Sequence, residues 1–246
     1  MIEIKPGITD LYFVGDIHGE FTKLAHDITY VHKLTNSVII IAGDCGFWHY
    51  KPGYYERIWH RIKKRLEEKN NMILCVRGNH DNPWYYDPAN WSGYDRWMTV
   101  RDYDILDILG TKILCIGGAT STDQAERKEW NREREHWGSS RRVWWITERP
   151  EKVPISHLPN KIDIIVSHEA PMPVGPVVWR SDDMELEVYR NICSDRDYLA
   201  EVLSEVKPRY WYFGHYHKSY SGTFGPTLYH GLGIEELQRY YGREED

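Results

Sequence analysis

Five apolar runs, each stopping directly at an aspartate, a histidine or an asparagine, constrain this chain more than any other feature of it. The clearest is residues 72–81, MILCVRGNHD. Met72, Ile73, Leu74, Cys75 and Val76 have the length and content of a strand buried on both faces. Gly78 lets the backbone turn where a side chain would collide. Asn79, His80 and Asp81 then fall at the carboxyl end of a buried strand, where open α/β sheets place their ligands. Residues 11–15 (LYFVG) run into Asp16 and His18, and residues 38–42 (VIIIA) into Gly43 and Asp44. Residues 162–167 (IDIIVS) run into His168, and residues 210–213 (YWYF) into Gly214, His215, Tyr216 and His217. Alone, GNHD would read as a turn, since glycine, asparagine and aspartate are the usual turn residues. Packing does not require polar ligand types at strand end after strand end, so the repetition points to chemistry.

Between these runs lie helical stripes. Phe21, Leu24, Ala25, Ile28 and Val31 share one face of a helix over residues 20–32, and Tyr55, Ile58, Trp59, Ile62 and Leu66 form a second stripe. The first eighty residues therefore read β-α-β-α-β, which implies a parallel sheet with right-handed crossovers. Residues 82–110 interleave tryptophan and tyrosine with aspartate, asparagine, proline and glycine and read as a loop region near the ligand cluster. Residues 113–116 are a further strand. From Asp123 to Lys152 eight basic residues stand against seven acidic ones, a solvated helix with mixed ion pairs and not a phosphate-tracking stripe. Trp130 and Trp137, a heptad apart on that helix, are expected to pack onto something, as a surface helix or a lid over the cleft. Ser194, with Asp197 three residues on, fits the capping box of a helix starting at Asp195, whose apolar face is Leu199, Val202, Leu203 and Val206. Residues 223–232 supply closing β-structure. No repeat or low-complexity linker interrupts the chain, which reads as a single domain over residues 1–246.

Composition narrows the function classes. A formal charge of −6 argues against a general nucleic-acid binder, which carries a basic excess. No segment approaches membrane-spanning length and no signal-peptide core opens the chain, so the expectation is a soluble, cytoplasmic protein without a membrane partner. Cys45, Cys75, Cys115 and Cys193 show no CxxC spacing, and Cys75 and Cys115 lie inside apolar runs, so free thiols are expected.

The ligand types define an inorganic centre. Asp16 and His18 are two apart, so in extended backbone their side chains point the same way and can hold one ion; His215 and His217 share that spacing and that consequence. Carboxylate, amide oxygen and imidazole together suit Mn²⁺, with Fe and Zn²⁺ also accepted, and the missing thiolate set argues against a structural zinc or iron–sulfur site. Seven ligands (Asp16, His18, Asp44, Asn79, His168, His215, His217) exceed what one ion uses, which points to two divalent ions sharing a carboxylate.

In kind and order these motifs resemble those of the calcineurin-like metallophosphoesterases. They span residues 11–217. The resemblance implies a four-layer α/β/β/α sandwich of two packed mixed β-sheets flanked by helices. It implies Asp16, His18 and His217 on one ion, Asn79, His168 and His215 on the other, Asp44 bridging, and hydrolysis of a phosphoric ester, mono- or diester, by water shared between the ions. His80, beside a ligand, becomes the general acid for the leaving alkoxide. Where protein phosphatases of the family continue with GD-x-x-DRG, this chain has Gly43-Asp44-Cys45-Gly46-Phe47-Trp48. The usual phosphate-gripping arginine and the imidazole-orienting aspartate are therefore absent; Arg77 is the candidate substrate-binding residue and Asp81 the candidate orienter of His80. The loss disfavours a protein substrate. A non-catalytic protein-binding scaffold on the same fold, as in the retromer scaffold subunit, tends to lose a ligand or the catalytic histidine, and all eight positions are intact here. A nuclease is the remaining alternative, disfavoured by the acidic balance. The substrate walls are assigned to residues 46–54, 82–100, 119–145 and 169–191.

Overall fold

A computed structural model describes residues 2–48, 50–159 and 161–242. Period-two burial explains its layers. In strand β2 (Ser37–Ala42) every residue is buried, yet successive side chains go to different places. Ile39 and Ile41 join a core with Phe21, Leu24, Ile28 and the Tyr55, Ile58, Trp59, Ile62, Leu66 stripe. Val38, Ile40 and Ala42 join a second core shared with Ile113, Cys115, Ile164, Val166 and Tyr212. A third core sets Leu114, Ile116, Ile165, Trp211 and Phe213 against Leu199, Val202 and Leu203. The three apolar layers separate four layers of secondary structure, helix–sheet–sheet–helix, as the resemblance implies.

The first sheet takes the order β11-β1-β2-β3-β4, with β1 (Asp10–Val14), β3 (Met72–Val76), β4 (Trp97–Thr99) and β11 (Leu237–Tyr240). Strands β1 to β4 run parallel, and β11 closes one edge antiparallel to β1. The second sheet takes the order β5-β6-β7-β8-β10-β9, from β5 (Ile105–Ile108), β6 (Thr111–Ile116), β7 (Ile164–Ser167), β8 (Tyr210–Phe213), β9 (Tyr220–Phe224) and β10 (Thr227–Gly231). Phe13 and Tyr212 stack across the gap between the sheets with ring centroids 3.8 Å apart. Because β1, β2, β3, β7 and β8 are parallel within their sheets, their carboxyl ends reach one rim of the sandwich.

Helices α1 (Phe21–His26) and α2 (Pro52–Glu68) cover the first sheet, and α4 (Leu186–Val206) covers the second. The α2 stripe is buried as its spacing predicts, with Pro52 at the first turn, where its missing N–H is harmless. Among the described residues no helix is long and apolar enough to cross a membrane. The four cysteines are free, and Cys75 and Cys115 are buried.

Several local expectations are corrected. The first stripe changes into a π-helical turn at Asp27–Val31, which swings Val31 into solvent. Helix α4 starts nine residues before Asp195, so Ser194 is interior and caps nothing. The loop region contains β4 and β5, whose short length hid them among aromatic residues. In α3 (Gln124–His136) Trp130 is 49% and Trp137 83% exposed, while Gln124, Arg127 and Asn131 are buried. The helix packs through its polar side, the reverse of what the tryptophan spacing predicts, and Arg127 and Glu148 are not solvated charges.

Candidate metal centre

The candidate ligand residues arrive on loops bent into unusual backbone. His18 (φ 44°), Asp44 (43°), His215 (70°) and His217 (56°) all occupy the left-handed region, which for residues other than glycine holds of order 1–3 kcal/mol of strain each. Strain of this kind persists where surrounding structure over-determines it. Two glycines show how tight the packing is. A Cβ on Gly214 would lie 2.3 Å from Asp16 Oδ1, and one on Gly43 would lie 2.1 Å from His168 Nδ1.

Asp16 is buried; its Oδ1 accepts the backbone N–H of His215 at 3.0 Å, and its Oδ2 has no hydrogen bond. That orphan oxygen faces His217 Nε2 at 3.0 Å and His18 Nε2 at 3.9 Å, and the two imidazole nitrogens stand 3.1 Å apart. Three lone-pair donors thus converge on one point. Beside them, Asp44 Oδ1 lies 3.4 Å from His168 Nε2, which is 2.8 Å from Asn79 Oδ1. Asp16 also lies within reach of Asp44 and His168, so the two groups share a wall. His168 Nδ1 donates to the Ala42 carbonyl at 2.9 Å, aiming its other nitrogen at the cluster, a second partner of the kind metal-bound histidines need. The buried, otherwise unsatisfied oxygen and the converging imidazoles fit divalent ions that take carboxylate, amide and imidazole donors.

His215 stands next to the His168 ring, centroids 4.9 Å apart, while His217 goes to Asp16 and His18. The two-residue spacing therefore does not place this pair on one ion as extended backbone would; the left-handed turn at each separates them. Burial pushes the His215 imidazole down to about 3, which keeps it neutral, the form that can bind a metal. Asp44 is held well below the usual carboxylate range: burial opposes ionisation, but the His168, His80 and His18 imidazoles outweigh it.

His80 lies at the edge of the cluster. Its backbone N–H donates to Asp44 Oδ1 at 2.9 Å, its ring Nε2 stands 3.9 Å from Asp44 Oδ2, and its side chain is 36% exposed. Burial lowers its pKa, partly offset by Asp44. Asp81 does not touch it. The Asp81 carboxylate accepts the backbone N–H groups of Cys45, Gly46, Phe47 and Gly78 and the Tyr86 hydroxyl, so it ties the GNHD turn to the Gly43–Asp44 loop. Asp44 is the carboxylate beside His80, and Asp81 is an organiser of the loops.

Arg77 is not brought to the cluster either. Its guanidinium is 4% exposed and donates to Asp102 through Nε and Nη2, at 3.0 and 2.7 Å, and to the carbonyls of Thr147, Glu148 and Arg149. Those contacts use all five of its N–H donors. In this arrangement no N–H of Arg77 is left to meet a phosphate at the cluster.

Residues that sequence reasoning passed over complete the surroundings. Asn79 Nδ2 donates to Ser121 Oγ, which joins Glu148 and Arg127 in a buried network. Glu169, fully buried, has an Oε2 without a hydrogen bond 3.9 Å from His215 Nε2. Only position signals Glu169, directly after His168; Ser121 and Glu148 sit in the polar stretch and carry no motif.

The family model of the calcineurin-like phosphoesterases matches residues 10–219. The chain belongs to the calcineurin-like phosphoesterase family. Among solved structures it is similar to a phosphopantetheinyl hydrolase from Mycobacterium tuberculosis, at 14% identity over 98% of this chain and 99% of that one, with a TM-score of 0.46. It is also similar to a conserved uncharacterized protein, a predicted phosphoesterase, from Streptococcus pneumoniae TIGR4, at 13% identity over 92% and 72% of the two chains, with a TM-score of 0.38. No curated protein matches the chain.

Proposed function

We propose that the chain hydrolyses phosphoric esters, mono- or diester, at a centre of two divalent metal ions, Mn²⁺ fitting the donors best and Fe or Zn²⁺ acceptable. Asp16, His18 and His217 hold one ion, Asn79, His168 and His215 the other, and Asp44 is shared. The observation that carries this reading is the shape of the cluster. Asp16, Asp44 and His168 form a buried floor, while the side chains of His18, His80 and His217 are 30%, 36% and 45% exposed at its lip. Closed metal sites serve structure, and open ones leave room for substrate and water.

When bound, such an ion pair lowers the pKa of water and neutralises the ester's charge. The chain's own work is what remains. The carboxylates and imidazoles set the two ion positions, and the loops that carry them are closely packed at Gly43 and Gly214. His80 gives a proton to the leaving oxygen, a step typically worth about 10²–10⁴-fold in rate. Without the DRG arginine, and with Arg77 committed to Asp102, most of the phosphate charge would have to be held by bound ions. That arrangement suits small esters more than a folded protein substrate.

The test compares a phosphomonoester, a bis-ester and a 2′,3′-cyclic nucleotide side by side with Mn²⁺, together with single- and double-stranded DNA and RNA. Hydrolysis of at least one small ester, abolished by chelation and restored by metal, is the expected result. Little bound transition metal and no hydrolysis would instead mark a protein-binding scaffold, and cleavage of the polynucleotides alone would mark a nuclease.

A further inference from the structure

Six of the seven proposed ligands bind through groups whose donor atoms are equivalent or fixed by the ring. Asn79 differs: its amide has an oxygen that can bind a cation and a nitrogen that cannot, and a half-turn exchanges them. Something must choose. We propose that Ser121 and Glu148 are positioning residues that fix the Asn79 amide with its oxygen toward the second ion. The inference rests on the reading of Asn79 as a ligand of a two-ion centre.

The proton of one hydroxyl sets the direction. Ser121 Oγ lies 2.7 Å from Glu148 Oε2 and 2.8 Å from Asn79 Nδ2, and it also meets Arg127 Nη1. Glu148 is fully buried, and its other oxygen, Oε1, accepts Gln124 Nε2 at 2.6 Å and the Ser121 N–H at 3.2 Å. An ionised carboxylate only accepts, so the hydroxyl proton of Ser121 goes to Glu148. Arg127 only donates, so it takes one acceptor position of the oxygen. One acceptor position remains, and only the NH₂ end of Asn79 can use it. The hydroxyl is then saturated, with one hydrogen bond given and two received.

The opposite end of the amide agrees with this once an ion is bound. His168 Nδ1 donates to the Ala42 carbonyl, so its Nε2 and Asn79 Oδ1, 2.8 Å apart, both present lone pairs, as two ligands of one cation would. A reversed amide would bring Oδ1 against a Ser121 oxygen with no proton to share, and would turn NH₂ toward the ion. Each of those leaves a buried polar group without a partner. Arg127 is itself held, with Nε donating to the Val143 carbonyl at 2.8 Å and Nη1 3.6 Å from Glu148 Oε2. A buried ion pair is seldom a source of net stability, since desolvation offsets most of the attraction. Here it gives a direction to a hydroxyl, and through it to a ligand. This explains why α3 packs through a polar face with its tryptophans outside.

The test loads wild type, Ser121→Ala and Glu148→Gln with Mn²⁺ and reads metal per chain and the coupled-pair electron paramagnetic resonance signal. Glu148→Gln keeps the shape but allows the side chain to donate to Ser121, which releases the hydroxyl proton toward Asn79. Both variants are expected to hold the first ion as wild type does, and to bind the second about 10–100-fold more weakly, losing the coupled signal. Adding Asn79→Asp to Ser121→Ala is expected to restore the second ion, because a carboxylate presents an acceptor oxygen either way round. Two ions held with wild-type affinity by either folded variant, or no rescue by Asn79→Asp in a folded protein, overturn the inference and leave the two-ion reading standing. A wild type that binds no metal overturns both. A neutron structure of the wild type decides without any variant: deuterium on the Asn79 side chain toward Ser121 supports the inference, and toward His168 overturns it.

Discussion

Of the residues beside GNHD, His80 and Asp81 look alike in sequence as candidates for catalysis, and the structure separates them by what they touch. His80 meets the cluster at Asp44, so His80→Ala is expected to keep both metals and lose about 10²–10⁴-fold in kcat, measured by metal analysis and steady-state kinetics on the same preparation. Asp81 holds four backbone N–H groups and a hydroxyl in a buried site. Asp81→Ala leaves several of them unpaired, each at about 1–3 kcal/mol, so the variant is expected to be severely destabilised in urea denaturation, with activity lost through folding. Arg77→Ala strands Asp102 and is expected to cost about 3–5 kcal/mol of stability. A variant that kept wild-type stability and raised KM alone would return Arg77 to the substrate. The seven candidate ligands could be picked from the sequence, and their convergence at one rim anticipated, because their types are few and their places at strand ends are fixed. The roles of Asp81 and Arg77 were not, since neighbours in sequence say nothing about which way a side chain leaves a turn.

At the scale of elements, legibility followed apolar periodicity. The strands that lead to the ligands, and the α2 stripe, are read directly because burial on both faces of a sheet demands long apolar runs. Helix α3 failed the same reading, because its buried side is Gln124, Arg127 and Asn131, joined to a network that hydropathy scores as solvent-facing. The tryptophan pair on its outer face misled for the same reason. Trp137→Ala is accordingly expected to change stability by less than about 0.5 kcal/mol, as an exposed surface substitution does. Arg127→Ala, which leaves Glu148 buried without its cation, is expected to destabilise strongly. Calorimetry on the pair of variants separates the two faces, and equal losses would contradict this assignment of inside and outside.

Over the whole molecule the two sheets act as a frame that brings distant loops to one rim, and the centre feeds stability back. In the ion-free chain burial pushes the His168 imidazole down, but the Asp44 and Asp16 carboxylates outweigh it and raise it to about 10. A pKa raised above the unfolded value of about 6.5 contributes stability that is complete below that pH and is lost as pH rises through about 10. The chelated protein is therefore expected to lose melting temperature between pH 7 and 10. Metal stabilises the folded chain by about 2.7 kcal/mol at a hundredfold excess over Kd, which for a chain of this size is about 5–11 °C in Tm. Anomalous diffraction from crystals grown with Mn²⁺ tests the central claim most directly. Two peaks about 3.5–4 Å apart are expected. Asp44 should touch both, His18 and His217 one, and His168 and His215 the other. A single peak, or two with Asp44 outside them, contradicts the account.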